Sequence, residues 1–191
     1  MGECRVVAGT FAHRSELRWG IFGRPRPNGR SSNISWAARG PRVTRDEIRL
    51  AIGSFIALLQ DRVLDDDEAS QTLPLLLDTL ASASRWFPDS GLEYVTAPIT
   101  PYDERRQLAA ERFPGLGLYN TVPIAPVGDA EPEVGDAIDD LADIYGDLEV
   151  FDQLWTTDGP EAAMLAVSAT FDAHWGAHLR DLQHYLFYCG A

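Results

Sequence analysis

Two histidines near the end of the chain have a spacing that could bind a metal ion. In DAHWGAHLRDLQHYL, residues 172–186, His174 and His178 are four residues apart and Asp181 follows three residues later. On an α-helix this spacing places the three side chains on one face, within about 60° of one another. A His-x3-His pair on a helix suits a first-row divalent metal. The intervening Trp-Gly-Ala lacks the glutamate of the HExxH metalloprotease pattern, so the spacing names no reaction.

A row of aspartates lies on the segment that precedes these histidines. In GDAIDDLADIYGDLEVFDQLW, residues 135–155, four aspartates fall on one side of the predicted helix. Carboxylates three and four residues apart repel one another unless water, an arginine or a cation offsets the charge. If the two polar rows face each other, they could hold one or two divalent ions that activate water. The residues of the aspartate row are Asp136, Asp140, Asp143 and Asp147, and the predicted metal ligands are Asp136, Asp140, Asp143, His174, His178 and Asp181.

The same rows have an interpretation without a metal, which the sequence favours. The aspartates lie roughly opposite the apolar face of their helix, where a solvated face also lies. Arg49 and Arg180 could pair with them, and the histidines could be packing residues with one hydrogen bond each. Gly176 lies in the middle of the histidine helix, which costs about 1 kcal/mol against alanine. A close helix crossing would explain that glycine.

Helical periodicity dominates the chain and predicts an all-α protein, an antiparallel bundle of about five helices. Thr44 and Glu47 form a capping-box pattern at the start of the first helix. Residues 64–71 read as a polar break before the second helix, with Pro74 in its first turn or at a kink. No strand is predicted, and residues 114–134 read as a long loop. The predicted helices are 43–63, about 72–87, 100–114, 135–155 and 158–187.

The chain divides into a basic segment and an acidic body. Residues 1–42 are rich in Gly, Pro and Arg, and carry eight arginines against Glu3 and Glu16, a balance of +6. We expect this segment to be a disordered or irregular tail, or a stretch translated from a misassigned start, with Val43 as the alternative start. Residues 43–191 are predicted to be a single helical domain. They carry eight arginines against 27 acids, a balance of −19.

Charge and composition exclude some classes of function. The formal net charge of −13 argues against binding to nucleic acid or to an anionic membrane, and permits a basic protein partner. Cys4 and Cys189 lie at opposite ends and form no spaced pair, which is typical of a reduced protein. No apolar run reaches the roughly 20 residues of a membrane-spanning helix. The expected location is therefore the cytoplasm.

Three segments carry a resemblance to a known family. LGLYNTV (116–122), VGDAIDDLADIYGDL (134–148) and HWGAHLRDLQHYL (174–186) resemble a bacterial domain-of-unknown-function family, number five-zero-six-three. The resemblance covers about residues 44–188 and leaves out the first 42. It implies an all-helical bacterial cytoplasmic domain. It supplies no activity, cofactor or site residue.

Two functions from different classes follow from these patterns, and enzymatic activity stays open between them. The leading hypothesis is a small acidic helical module that binds another protein in an interaction or regulatory role, and its charge permits a basic partner. It rests on the charge of the body and on its aromatic residues Trp86, Trp155, Trp175 and Tyr119. The alternative is a metal-dependent hydrolase that uses the aspartate helix and the histidine helix, with a divalent metal as its cofactor and a phosphorylated small molecule as a candidate substrate. A third hypothesis is that the protein is a subunit of a larger assembly.

Overall fold

The computed structural model describes residues 43–89, 91, 99–122 and 131–190. The prediction of a disordered or irregular tail falls on residues 1–42, which lie outside the described residues. Among the described residues, no helix combines the length and the apolarity needed to cross a membrane. The helices are α1 (Arg45–Gln60), α2 (Asp66–Ala83), α3 (Tyr102–Arg112), α4 (Ala137–Thr157), α5 (Pro160–Thr170) and α6 (Gly176–Cys189).

The predicted helical bundle is confirmed, because these helices pack around one apolar core. The capping box at the start of α1 is present: the Thr44 hydroxyl accepts from the Glu47 amide at 3.2 Å, and Glu47 accepts from the Thr44 amide at 2.7 Å. The polar break before α2 was predicted too long. Asp65 and Glu68 form a second capping box, so the acidic residues after Asp65 are the first turn of α2. Pro74 consequently lies inside α2 and not in its first turn.

The prediction of no strand is wrong, because the predicted loop contains half of a short antiparallel pair. Strand β1 (Leu118–Thr121) pairs with β2 (Glu133–Asp136), with Leu118 opposite Asp136 and Thr121 opposite Glu133. Each strand has only four residues, which is too short for the alternation of buried and exposed side chains to distinguish it from a loop in the sequence. Tyr119 is the buried member of β1. The hairpin therefore delivers one large side chain to the beginning of α4.

Helix α4 lies at the centre of the bundle and contacts α1, α3, α5 and α6. Its buried residues lie all around the helix and include Asp140 and Asp147, each only 5% exposed. The prediction that the aspartate row is a solvated face is therefore wrong for these two residues. The residue pattern of α4 alone could not show this, because burial depends on which neighbouring helix covers each face.

The predicted fifth helix is interrupted by one wider turn. Its start is as expected: Gly159, at φ +93°, precedes Pro160 at the first helical position. Between α5 and α6, residues Phe171–Trp175 form a π-helical turn. A π turn holds one more residue than an α turn and therefore rotates everything that follows it. His174 lies within the π turn and His178 in α6.

A buried arginine requires the glycine in the middle of α4. The guanidinium of Arg105, from α3, donates to the Ala142 carbonyl at 2.9 Å and lies against Gly146. A Cβ atom at residue 146 would lie 1.5 Å from Arg105 Nη1. Arg105 is buried, so its guanidinium cannot move away from Gly146 without displacing its neighbours.

We predict that Gly146→Ala destabilises the protein by about 2 kcal/mol, because overpacking outweighs the helix-propensity gain of roughly 1 kcal/mol. Urea unfolding measures the difference. Gly53→Ala is the matched control: Gly53 is also helical, but a Cβ there meets no atom within 4 Å. That variant should be more stable than the wild type by about 1 kcal/mol. Equal effects of the two substitutions would contradict the role of Arg105.

A second prediction concerns Tyr145 and the dependence of stability on pH. Burial raises the pKa of the Tyr145 hydroxyl, the nearby charge of Glu149 raises it further, and Gln60, which donates to it at 2.6 Å, lowers it. The neutral folded form is therefore favoured, and this stability is present below the unfolded pKa of about 10 and lost as the pH rises above it. We expect Tyr145→Phe to reduce the loss of unfolding free energy between pH 9 and pH 11. An unchanged pH slope would contradict this.

Candidate metal centre

The two polar rows of the sequence face each other in the structure. Asp143 of α4 lies between the two histidines, with its Oδ2 atom 3.9 Å from His174 Nε2 and 3.5 Å from His178 Nε2. The three ligand atoms all lie within 4.8 Å of one another. The imidazole rings are 4.8 Å apart, centre to centre, and nearly perpendicular. We call Asp143, His174 and His178 the triad.

Each histidine is also held from its other ring nitrogen by a carboxylate of α4. His174 Nδ1 lies 2.7 Å from Asp147 Oδ2, and His178 Nδ1 lies 2.8 Å from Asp140 Oδ1. A carboxylate only accepts hydrogen bonds, so each Nδ1 carries the proton. In a neutral imidazole this leaves the lone pair on Nε2. Both Nε2 atoms then lie, unprotonated, within 4 Å of the Asp143 carboxylate.

This arrangement needs positive charge between the histidines and Asp143. Two unprotonated nitrogens and a carboxylate oxygen repel one another when nothing lies between them. Protonation of both imidazoles would satisfy the geometry, and so would a single divalent cation. Both solutions leave the same net charge of −1 on the triad with Asp140 and Asp147, since two protons and one divalent ion carry equal charge. The centre is therefore suited to exchanging protons for a metal.

The titration of the surrounding groups reflects this crowding of charge. The hydrogen bond to Asp140 raises the pKa of His178, against the opposing effect of burial. Burial raises the pKa of Asp147, while its hydrogen bond with His174 lowers it. Burial also raises the pKa of Asp139, and the negative charges of Asp143 and Asp140 raise it further. Asp139 therefore belongs to the electrostatic surroundings of the triad, although its side chain is not part of it.

Tyr119 supports the centre from the hairpin, and helical periodicity could not reveal it. Its hydroxyl donates to Asp140 Oδ2 at 2.5 Å, so Asp140 is shared between Tyr119 and His178. The ring stacks on Tyr185 of α6 at 4.9 Å between centroids. A Cβ at Gly135 of β2 would lie 2.4 Å from this ring, so only glycine leaves room for it. Tyr119 thus connects the sheet, α4 and α6.

The predicted ligands Asp136 and Asp181 lie outside the triad and connect other elements. Asp136 caps α4 by accepting from the Ile138 amide at 3.0 Å, and it also pairs with Arg106 at 2.7 Å. Asp181 accepts from the Thr121 hydroxyl at 3.3 Å. Of the six predicted ligands, the structure therefore brings together Asp143, His174 and His178, and places Asp140 behind His178.

The arginines expected to neutralise the aspartate row have other partners. The Arg49 guanidinium lies over the ring of Trp155, 5.1 Å from its centre. Arg180 donates to the side chain of Gln183 at 3.0 Å. Within the part of the chain that the structure describes, histidines are thus the basic groups nearest to Asp143.

The π turn explains both the position of His174 and the presence of Gly176. The Gly176 amide donates to the Phe171 carbonyl five residues earlier, which closes the turn. A Cβ at Gly176 would lie 2.5 Å from that carbonyl oxygen. The glycine is therefore required by the π turn of its own helix. The predicted explanation, a close crossing with another helix, is wrong.

The donor set of the triad fits a first-row metal. Two imidazole nitrogens and one carboxylate oxygen are ligands of catalytic zinc and of non-haem iron. Ligand atoms around one tetrahedral ion at about 2.1 Å lie roughly 3.4 Å apart, so the triad is slightly more open than a closed site. The side chains of His174, His178 and Asp143 are 39%, 27% and 19% exposed, so solvent reaches them. An ion there would keep at least one position for water.

Comparisons of this chain with protein-family models, with curated proteins and with solved structures returned no match. The resemblance of residues 116–122, 134–148 and 174–186 to a bacterial family stays a prediction. The geometry of the triad is therefore the basis for any proposal on function.

We predict that Gly176→Ala destabilises the protein by about 1–3 kcal/mol, because the backbone of the π turn must move to admit the methyl group. Urea unfolding measures this, with Gly53→Ala as the control. Proton NMR of the imidazole N–H groups provides the second measurement. The His174 signal should change more than the His184 signal, because only His174 depends on the turn. A stable variant with an unchanged His174 signal would contradict the conclusion that the π turn requires glycine at position 176.

Proposed function

We propose that the protein is a metal-dependent hydrolase with one divalent ion bound by Asp143, His174 and His178. One observation carries the proposal: both Nε2 atoms converge on the Asp143 carboxylate while both Nδ1 atoms are held by other carboxylates. Metal-binding histidines in proteins almost always donate their second ring N–H to such a partner. The pairing fixes the tautomer that offers Nε2 to a metal.

The burial of the supporting carboxylates favours a metal over a chance surface cluster. Asp140 and Asp147 are almost completely buried, and a buried carboxylate costs several kcal/mol unless it is paired. Each is positioned one helical turn from Asp143, on either side, and each contacts one histidine. An exposed group of acids and histidines does not need buried carboxylates behind its histidines. A metal centre needs them, because they orient the histidines that bind the metal.

Hydrolysis is the chemistry that suits these ligands. A divalent ion with three protein ligands keeps a position for water and lowers the pKa of that water to about 7. With such an ion held by Asp143, His174 and His178, the bound water would supply hydroxide to the electrophilic carbon of the substrate, the bond to the leaving group would break, and the leaving group would take up the proton that the water had released. Asp143 would contribute negative charge to the ion, and the two histidines would bind it through Nε2. The outer carboxylates hold the imidazoles in place during the reaction.

A protein-binding module remains the second candidate, and a different surface favours it. The aromatic residues that suggested it are not available as a group, since Trp175 and Tyr119 are buried in the core. Phe187 and Tyr188, at the end of α6, are instead 76% and 74% exposed and adjacent. Together with the charge of the body, they would suit a basic partner with an apolar contact.

The test is the metal content of the full chain, purified without chelator or histidine tag and measured by elemental mass spectrometry. We expect about one zinc, iron or manganese ion per chain in the wild type, and a loss of at least tenfold in His174→Ala and His178→Ala. The matched control is His184→Ala, because His184 lies on the same helix but contacts Tyr188. This variant should keep its metal.

Activity is measured on the same samples with p-nitrophenyl acetate, a neutral ester. Hydrolysis should follow the metal content: present in the wild type and His184→Ala, and reduced about 100-fold or more without the ligands. Absence of metal from the wild type after incubation with zinc, iron and manganese would contradict the metal site. Bound metal without hydrolysis would contradict the hydrolase and leave a metal-binding protein.

A further inference from the structure

The charges around the triad point to the kind of substrate that it can accept. We infer that the open coordination position takes an uncharged or positively charged substrate, an ester or amide of a carboxylic acid, and excludes phosphate esters. The inference rests on the proposed function and adds the substrate class to it.

The first reason is that the centre stays negative after a metal has bound. A divalent ion with two neutral histidines and the carboxylates of Asp140, Asp143 and Asp147 has a net charge of −1. Asp139 precedes Asp143 by one helical turn, and side chains at that spacing are about 5–6 Å apart. The nearby Arg105 offsets part of the charge of Asp147, but the Asp139 carboxylate adds a further negative charge. A phosphate dianion placed at the open position would meet this charge at short range.

The second reason is that the nearby arginines are already engaged. Phosphate sites rely on arginines, lysines or free backbone amides that point at the anion. Arg105 is buried and donates to the Ala142 carbonyl. Arg106 pairs with Asp136, whose other carboxylate oxygen caps the first turn of α4. In the described ranges, both arginines that contact α4 beside the centre therefore already have partners on α4.

The third reason is the field of the whole domain. Residues 43–191 carry a formal charge of −19, which lowers the local concentration of anions and raises that of cations. Tyr102, whose hydroxyl donates to Asp139, is 40% exposed and offers an aromatic ring close to the same charges. An ammonium group is attracted both to carboxylates and to such rings. The electrostatic attraction therefore favours the binding of cationic substrates, both as they approach the domain and once they reach the centre.

The experiment uses the full chain loaded with Co²⁺, because the visible absorption of Co²⁺ reports a ligand entering its open position. Imidazole, neutral at pH 8, and inorganic phosphate are titrated separately at about 0.1 M salt. We expect imidazole to change the spectrum and phosphate to leave it unchanged up to about 10 mM. In Asp139→Asn, phosphate binding should strengthen by about three- to tenfold, with imidazole binding unchanged.

Asp152→Asn is the matched control, since it removes the same charge from an exposed position of α4. It lies 13 residues beyond Asp139, or about 20 Å along the helix, which exceeds the screening length of roughly 8–10 Å in physiological salt. It should not affect phosphate binding. A spectral change with phosphate below 10 mM in the wild type, or equal effects of the two variants, would overturn the inference and leave the metal centre intact. Absence of a Co²⁺ spectrum would overturn the proposed function, and this inference with it.

Discussion

The pairing of buried carboxylates with imidazole nitrogens is the interaction on which this bundle depends. Helix α4 is central, yet it carries Asp140 and Asp147 on a face that another helix covers. An unpaired carboxylate at either position would cost more than most single contacts contribute to stability. The histidines of the π turn and of α6 are the groups that meet them. The position of α6 on α4 is therefore fixed by polar contacts as well as by apolar packing.

Several features that look unrelated along the chain serve this one contact. The π turn sets the direction of His174, and the hairpin brings Tyr119 to the second oxygen of Asp140. The close approach of Arg105 to Gly146 lets α3 pack tightly on α4. Each feature includes a glycine where a side chain would collide: Gly176, Gly135 and Gly146. The three glycines thus mark the places where the backbone must come closest.

Much of the fold could be predicted from the sequence, because helix periodicity and capping are local. The capping box at Thr44 and the proline after Gly159 mark helix starts through contacts within three or four residues. The candidate metal site was harder to predict from the sequence than the fold. The spacing of His174 and His178 identified two of its members, but the facing of α4 and α6 depends on the rotation of each helix about its axis. Tyr119 acts through a strand of four residues and a partner 21 residues away, which no local pattern contains.

The π turn has a consequence for how such a centre could arise. A π turn is an α-helix with one residue inserted, and deletion of that residue restores the regular spiral. The helix beyond it would then turn by about 100°, the angle of one residue. His178 would leave Asp140, while the apolar positions after it would have to find a new register on α4. A single codon in the gene thus separates a chain with this histidine arrangement from an ordinary helical hairpin of almost the same sequence.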